Sequence, residues 1–288
     1  PSGGKLFLDA TLGGGGHTSA ILRAGAQVLG FDQDEAAIAS ATEKLIEYED
    51  RFVAMPMNFR RFAEVLDESG VGGVDGILAD LGVSSHQIDS AERGFSFQHD
   101  GPLDMRMNSQ AGCTAADIVN GWSAEELRRI FQEYGEEPLA RRAATAIVRR
   151  RAQRPFLRTL DLAETLASVM PRHGKTHPAT RIFQALRIEV NDELGALRDL
   201  LAHAPRLLKP GGRIVIISFH SLEDRMVKQA LQKCASEWID RPEWPEARRN
   251  PDFSLRLLTK KPVSASPEET TRNPRSRSAH LRAAEKLA

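Results

Sequence analysis

The sequence predicts an α/β fold whose mostly parallel sheet is interrupted by a block of helices. Short apolar runs alternate with helical patterns through roughly the first hundred of the 288 residues. Helix-forming composition then continues almost unbroken to about residue 208, and strand character resumes only at residues 212–219. Strands and helices that alternate at this spacing imply right-handed crossovers between parallel strands. The length allows one large domain or two, with a substantial core.

Four strands are predicted in the first part of the chain, each an apolar run bounded by turn-forming or helix-forming residues. They cover residues 5–10, 27–31, 51–55 and 74–81. The helical patterns between them cover residues 17–24, 34–47 and 59–68. Later strands are predicted at residues 212–219, 254–259 and 278–284, with a helix at 223–233.

The helical block begins after an aperiodic stretch, residues 84–113, which is rich in Gly, Ser, Asp and Met and is predicted to be a loop. Residues 114–208 form helical patterns separated by prolines, as expected at helix starts and stops. We therefore predict three segments. They are the first part of the core (1–105), an inserted basic helical domain (106–195), and the second part of the core with C-terminal strands (196–288).

The formal net charge of zero hides a strong asymmetry. Residues 138–187 carry 11 basic and 2 acidic side chains, whereas residues 1–137 carry 10 basic and 23 acidic ones. A positive block in a neutral chain favours an anionic partner such as a nucleic acid, although a solvated helix face is the alternative. The candidates for phosphate contacts are Arg141, Arg142, Arg149, Arg150 and Arg151.

Several classes of protein are disfavoured by composition. No apolar run reaches the roughly 20 residues that a membrane span needs, and the first residues lack the basic and apolar regions of a signal peptide. Two cysteines, Cys113 and Cys234, cannot build a disulfide framework or a four-ligand zinc site. We expect a cytoplasmic protein with no metal and no membrane partner.

A glycine-rich segment, DATLGGGGH (residues 9–17), lies between the first strand and the first helix. Glycines let the backbone turn tightly and approach a ligand, and the helix start offers free N–H groups. The dinucleotide pattern G-x-G-x-x-G fails because its third glycine falls on Thr18 or Ser19, and no P-loop occurs. An acidic residue before Gly-x-Gly resembles the first motif of Rossmann-like S-adenosylmethionine methyltransferases. A plain tight turn is the alternative.

Polar or aromatic residues follow the other predicted strands, where ligands bind in parallel sheets. Asp32 ends the second strand and could accept both hydrogens of a ribose diol. Phe59 follows the third strand and could stack on an adenine or simply belong to the core. Asp80 ends the fourth strand, and His220 follows the fifth. A carboxylate that ends an apolar strand needs a partner, which favours a functional role for Asp80.

Longer blocks then resemble one family along almost the whole chain. They are DATLGGGGH, DLGVSSHQID, ERGFSF, GPLDMRM, SFHSLEDR and NPRSRSAHLRAAE. The family is that of the bacterial 16S ribosomal RNA (cytosine-N4) methyltransferases. The resemblance implies a Rossmann-like class I methyltransferase core with an inserted all-helical domain. It also implies S-adenosyl-L-methionine as cofactor and a cytidine of the decoding region, within the small ribosomal subunit, as substrate.

The resemblance also implies a set of cofactor contacts. They are Gly13, Gly15, Gly16, His17, Asp32, Phe59, Asp80 and Gln87. The resemblance does not identify the catalytic residue that accepts a hydrogen bond or proton from the cytosine amine. Enzymes that methylate amino groups of DNA bases often carry an (Asp/Ser/Asn)-Pro-Pro-aromatic tetrapeptide, whereas this chain has Asp-Leu-Gly-Val at residues 80–83. Asp80 is the first candidate and His220 the second, with Ser84 and Asp104 as further possibilities.

Two rival functions share parts of this pattern. An NAD-dependent oxidoreductase would use the same sheet and Asp32, but the missing third glycine counts against it. A non-catalytic RNA-binding factor would keep the fold but not the chemistry, which the intact glycine segment and Asp80 disfavour. The sequence leaves open whether the protein is a monomer or a dimer.

Overall fold

A computed structural model describes residues 4–110, 112–172 and 177–288. The chain forms two compact units, which we call the sheet unit (Pro1–Gly82 and Leu194–Ala288) and the helical unit (Val83–Glu193). The sequence analysis placed the divisions after residues 105 and 195. Residues 83–105 belong instead to the helical unit because their apolar side chains, Phe95, Leu103 and Met105, pack into its core.

The described residues form ten strands. They are β1 (Leu6–Asp9), β2 (Gln27–Asp32), β3 (Phe52–Pro56), β4 (Val74–Asp80), β5 (Leu208–Ser218), β6 (Trp238–Ile239), β7 (Arg248–Arg249), β8 (Leu255–Leu257), β9 (Val263–Ser264) and β10 (His280–Lys286). Eight lie in one sheet of order β3-β2-β1-β4-β5-β10-β8, with β9 paired to β10, while β6 and β7 form a separate hairpin-like pair.

Strands β1 to β5 are parallel neighbours, as the sequence predicts for an α/β fold. Strand β10 runs antiparallel to β5, β8 and β9. The sheet is therefore mostly parallel with an antiparallel edge, and the predicted Rossmann-like α/β class is confirmed.

Twelve α-helices occur in the described part of the chain. They are α1 (Gly16–Arg23), α2 (Glu35–Lys44), α3 (Phe62–Glu68), α4 (Ser85–Asp89), α5 (Ala115–Gly121), α6 (Ala124–Glu133), α7 (Ala140–Arg151), α8 (Thr159–Val169), α9 (Thr180–Asn191), α10 (Glu193–Leu207), α11 (Ser221–Ala235) and α12 (Pro267–Arg272). Short 3-10 helices cover Ile46–Tyr48, Phe59–Arg61, Ala91–Arg93 and Pro274–Ser278. None of these described helices is long and apolar enough to cross a membrane.

Helices cover both faces of the parallel sheet, so its central strands are buried on both sides and read as continuous apolar runs. On one face Phe62 of α3 and Leu200 of α10 pack with Leu8 of β1, and all three are fully buried. On the other face Leu22 of α1 packs in a smaller cluster with Leu45, just after α2. Each such side chain contributes roughly 1.5–3 kcal/mol through burial. The two apolar faces fix the sheet from which the site residues project.

The helical unit has its own core, built from α5 to α9. Its fully buried members include Ile118, Phe131, Ile147, Leu166 and Leu186. The region 114–208, for which the sequence predicts helix, forms α5 to α10, and its residues 173–176 lie outside the described residues. The helical unit therefore has a hydrophobic core that is separate from the core of the sheet unit.

The stretch predicted to be loop, residues 84–113, contains the short α-helix α4 and the 3-10 helix Ala91–Arg93. Helix α4 forms because Ser84 and Gln87 make a capping box, in which each side chain bonds the other residue's backbone N–H. The rest of the stretch is irregular but tightly packed. A Cβ on Gly101 would lie 1.8 Å from the backbone oxygen of Ala91, and one on Gly94 would lie 2.2 Å from that of Pro102.

Substitution Gly101→Ala is expected to lower the free energy of unfolding by about 3 kcal/mol or more, because backbone must move to admit the new carbon. Gly121→Ala is the matched control, since a Cβ there meets no described atom within 4 Å. Its expected effect is within about 0.5 kcal/mol. Denaturant titration with hydrogen exchange across residues 83–193 measures both. Equal stability of the two variants would contradict this account of the packing.

Candidate active site

The glycine segment between β1 and α1 requires a backbone that few side chains tolerate. Gly13 and Gly15 adopt positive φ angles of 49° and 70°, in the left-handed region that glycine accepts without steric cost. A Cβ on Gly15 would also come within 3.0 Å of Leu45. At Gly14 and Gly16 a Cβ would meet no described atom within 4 Å. The loop is thus tight on its inner side and open on its outer side, where α1 begins.

Asp32 ties this loop to the end of β2. Its Oδ2 accepts the Gly13 N–H at 2.9 Å, and its Oδ1 accepts the Asp34 N–H at 2.9 Å. Burial raises the pKa of Asp32, and the two N–H donors partly oppose that shift. Each carboxylate oxygen offers more than one acceptor site, so Asp32 keeps the capacity to bind further hydroxyl donors. The role of Asp32 toward a ribose diol stays a prediction.

Asp9, at the end of β1, is a structural carboxyl group. It is fully buried, its Oδ2 accepts the Thr18 hydroxyl at 2.7 Å, and its Oδ1 accepts the Thr11 N–H at 3.2 Å. Burial raises its pKa, and these hydrogen bonds oppose the shift. Asp9 therefore connects the strand end with the loop and with α1, and it holds both ends of the glycine segment.

Asp80, at the end of β4, has one oxygen bonded to a neighbouring side chain and one without a partner among the described residues. Its Oδ2 lies 3.3 Å from Nε2 of His17, at the start of α1. Its Oδ1 is buried and has no hydrogen-bond partner among the described residues. The backbone N–H of Asp80 donates to the Thr11 hydroxyl at 2.6 Å, which fixes the end of β4 against the loop. Sequence reasoning missed Thr11, because only the pairing of β1 with β4 brings it to Asp80.

The pKa of His17 is raised, chiefly by the hydrogen bond to Asp80, whereas partial burial acts in the opposite direction. The negative charges of Asp80 and Asp9 add to the increase. The imidazolium form is thus favoured beside the carboxylate. The pair places the imidazole of His17 against one oxygen of Asp80 and leaves the other oxygen for a different donor.

Phe59 follows β3, as the sequence predicts, and it is half-buried against the core of the sheet unit. The preceding residue, Asn58, accepts the Arg60 N–H at 3.0 Å and donates to the Gln33 side chain at 3.1 Å. These contacts link the ends of β2 and β3, and sequence reasoning did not find them. Phe59 packs against the core of the sheet unit. Its stacking on an adenine stays a prediction.

His220 follows β5, and the register that pairs Asp80 with Ile217 brings it to the same edge of the sheet. Its side chain is only 8% exposed and caps α11, with Nδ1 accepting the Glu223 N–H at 3.4 Å. Its Nε2 lies 3.2 Å from Glu223 Oε1 without the alignment of a hydrogen bond. The structure gives His220 a capping role, and its catalytic role stays a prediction.

Three further candidates belong to the helical unit. Gln87 is buried, and its Oε1 accepts the Ser84 N–H at 2.9 Å while the Ser84 hydroxyl caps α4. Asp104 forms a two-pronged ion pair with Arg106, at 2.9 and 2.8 Å. Burial alone would raise the pKa of Asp104, but the bonds from Arg106 outweigh it and the pKa is lowered. Roles of Gln87 and Ser84 toward a ligand stay predictions, whereas the Asp104 carboxylate is already committed to an arginine.

Two of the five arginines considered for phosphate contacts have structural partners. Arg150 binds both carboxylate oxygens of Asp161 at 2.5 Å and lies 4.8 Å from the centre of the Phe156 ring. Arg151 donates to the backbone oxygen of Val119 at 2.7 Å. The other three are exposed on α7, namely Arg141, Arg142 and Arg149.

The chain is similar to named proteins over almost its whole length. One from Carboxydothermus hydrogenoformans is 51% identical over 288 residues, which covers 99% of this chain and 93% of that protein. One from Geobacter sulfurreducens is 51% identical over 293 residues, which covers all of this chain and 94% of that protein. Both are named ribosomal RNA small subunit methyltransferase H.

One solved structure is similar at low sequence identity. A methyltransferase homologue from Pyrococcus horikoshii aligns with all of this chain and 63% of its own, at 14% identity and a TM-score of 0.42. The family model described as the MraW methylase family, in contrast, matches residues 1–287. With that match and two relatives at about half identity, the chain belongs to the MraW methylase family.

Proposed function

We propose that this protein transfers the methyl group of S-adenosylmethionine to the exocyclic N4 of a cytidine in 16S ribosomal RNA. Its membership of a methylase family and the names of its relatives support the reaction and the class of substrate. The structural observation that carries the proposal is the Asp80 carboxylate at the carboxyl edge of the sheet. One of its oxygens binds His17, and the other is buried without a partner among the described residues.

The residues at this edge fit the cofactor. Asp32 retains acceptor capacity for a ribose diol while it fixes the glycine loop through Gly13. Gly14 and Gly16 present backbone to open space, where a ligand can approach without meeting a side chain. Phe59 offers a half-exposed ring beyond β3 for contact with an adenine. When bound, the cofactor supplies a methyl group that its positive sulfonium has already activated.

The electrostatics of the edge also suit a cationic cofactor. Asp32 and Asp80 both lie there, and Asp9 is near enough to both for the charges to influence one another. A cluster of carboxylates with limited solvent access attracts a positive group more strongly than it would in water. The same cluster would disfavour binding of an anionic group beside Asp80.

Methyl transfer needs little covalent chemistry from the protein, so positioning and charge dominate. The cytosine amine is a weak nucleophile because the ring withdraws its lone pair. We assign Asp80 Oδ1 the task of accepting one N–H of that amine, which orients the lone pair and takes up the proton after transfer. His17 then acts on Asp80 as a positioning residue, since it holds Oδ2 and leaves Oδ1 directed elsewhere.

The target base must leave its stack to reach the site, at a cost of a few kcal/mol. We extend the proposal to the small ribosomal subunit as the natural partner and to the cytoplasm as the compartment. The names of the relatives support small-subunit ribosomal RNA as the substrate. The assembled subunit and the compartment are our additions to what those names say.

A labelled-methyl transfer assay tests the proposal. The purified protein is incubated with S-adenosylmethionine and with small subunits from cells that lack it, protein-free 16S RNA or large subunits. We expect label in a single small-subunit cytidine, recovered after digestion as N4-methylcytidine. Cofactor binding without label in any RNA would overturn the substrate and favour a non-catalytic RNA-binding factor. Binding of NAD in place of S-adenosylmethionine would favour the oxidoreductase.

Asp80→Asn is expected to lower the rate of methyl transfer at saturating cofactor by about 100-fold or more, because the amide is a poor proton acceptor. Cofactor affinity should change far less. Asp75→Asn is the control on the same strand, since Asp75 lies at the other end of β4 and pairs with Lys209. Its rate should stay within about twofold of the wild type. Single-turnover rates of methyl transfer are measured for both variants. Equal rates would show that Asp80 has no role in the chemical step.

Asp32→Asn is expected to weaken cofactor binding by about 10-fold or more, because charged hydrogen bonds to the ribose are lost. Asp50→Asn removes an exposed carboxylate elsewhere and should leave the dissociation constant unchanged. Calorimetric titration with S-adenosylhomocysteine measures both constants. An unchanged affinity in Asp32→Asn would show that the carboxylate only fixes the loop.

The His17–Asp80 pair predicts a titration. Since the folded pKa of His17 is raised, its contribution to stability is complete at pH values below the unfolded pKa. That contribution is lost as the pH rises through the folded pKa. Proton NMR of the imidazole should give a midpoint above that of an unfolded histidine, and Asp80→Asn should lower it. Identical midpoints in the two proteins would contradict the pairing.

A further inference from the structure

The helical unit contains a groove between α7 and α8 that plays no part in the site described above. Its volume is about 780 Å³. Its lining is Pro138, Leu139, Arg141, Arg142, Thr145, Ala146, Arg149, Arg150, Gln153, Thr165, Ser168 and Val169. Four of these residues are arginines, and none of the described residues that line the groove is acidic. The groove is therefore strongly positive and has a floor of small side chains.

Helix α7 divides its residues cleanly between the core and this groove. Ala143, Ala144 and Ile147 are buried in the core of the helical unit. Arg142 and Arg149 lie on the outward face, two turns or about 10 Å apart along the axis. The positive charge thus extends along the groove rather than gathering at one point.

The arginines of the groove differ in what already holds them. Arg150 is committed to Asp161 and to the Phe156 ring. The guanidinium groups of Arg141, Arg142 and Arg149 make no hydrogen bond or ion pair within the parts of the chain that the structure describes. Glu125 attracts Arg141 electrostatically, but none of the described residues that line the groove is a carboxylate. The arginines therefore raise the local potential in the groove and favour an anionic ligand.

The lining also indicates which anion fits. Guanidinium groups bind phosphate oxygens in a planar, two-pronged way. The arginines are spread along the length of the groove, which suits an extended anion better than a compact one. The small residues Ala146, Thr165 and Ser168 leave room for sugars between the phosphates. An acidic protein surface usually contains some basic side chains as well. The described lining has no carboxylate that could bind them, which favours a nucleic-acid backbone over a protein.

We propose that the groove between α7 and α8 binds the sugar-phosphate backbone of ribosomal RNA, with Arg141, Arg142 and Arg149 as its phosphate ligands. The inference rests on the proposed function, because that function supplies the RNA. The contacts give affinity that does not depend on sequence and position the RNA, while the methyl transfer takes place in the sheet unit.

The test compares two double variants that lose the same charge. Arg142→Gln with Arg149→Gln changes the groove. Arg61→Gln with Arg128→Gln changes two exposed arginines outside it, each in a surface ion pair within its own helical turn. Affinity for protein-free 16S RNA is measured at several salt concentrations, and this readout requires no methyl transfer. Cofactor affinity is measured in parallel and should be the same in all three proteins.

We expect the groove variant to bind RNA about 10-fold more weakly at 0.1 M salt and to reduce the slope of log affinity against log salt by about 2. The control variant should stay close to the wild type. Equal losses in both variants would overturn the proposal. So would a loss of affinity for intact small subunits with none for protein-free RNA, which would point to an acidic protein. Failure of the proposed function is seen separately, as wild-type protein that binds RNA but transfers no methyl group.

Discussion

The parallel sheet imposes one constraint on which the candidate site depends, since strands that run together end at the same edge. The register pairs Asp9 with Gly30 and with Leu78, and Asp80 with Ile217, so carboxylates from neighbouring strands meet there. Burial and the negative charge of Asp80 both raise the pKa of Asp9. Donors on the loop and at the start of α1 bind these groups: the Thr11 N–H and the Thr18 hydroxyl bind Asp9, and His17 binds one oxygen of Asp80. The loop that places these donors depends on the backbone shape that Gly13 and Gly15 allow.

Asp9 and Asp80 differ in burial, and this difference indicates different roles. Asp9 is fully enclosed and has both oxygens bonded within the protein, which suits a purely structural role. The Asp80 side chain is 34% exposed and keeps one oxygen without a described partner. A sequence pattern treats both as acids that end apolar strands, and only their surroundings distinguish a fixed support from a group that can act on a ligand.

Sequence reasoning reached the parts of the structure that local pattern determines. Apolar runs located seven of the ten described strands but not the two-residue strands β6, β7 and β9, and strand ends located Asp32 and Asp80. It did not reach contacts that need register, such as the Thr11 hydroxyl bound by the Asp80 backbone or the Asn58–Gln33 link between strands. The sequence pattern predicts that the inserted unit begins at residue 106, whereas in the structure it begins at Val83. The sequence of residues 83–105 contains few apolar side chains and no helical or strand periodicity, so it gave no sign of this earlier start. The capping role of His220 has the same origin in three-dimensional packing.

Strand order in the sheet has a consequence for how the chain assembles. Strand β10 lies between β5 and β8, although β8 precedes it in the sequence. During synthesis β8 leaves the ribosome before the only described strand that pairs with it, so it has no partner in the sheet until β10 arrives. Until then the open edge of β5 can attract other chains. The sheet can therefore be completed only after β10 has been synthesised, and pairing of β10 with β5 covers an edge that would otherwise be open to other chains.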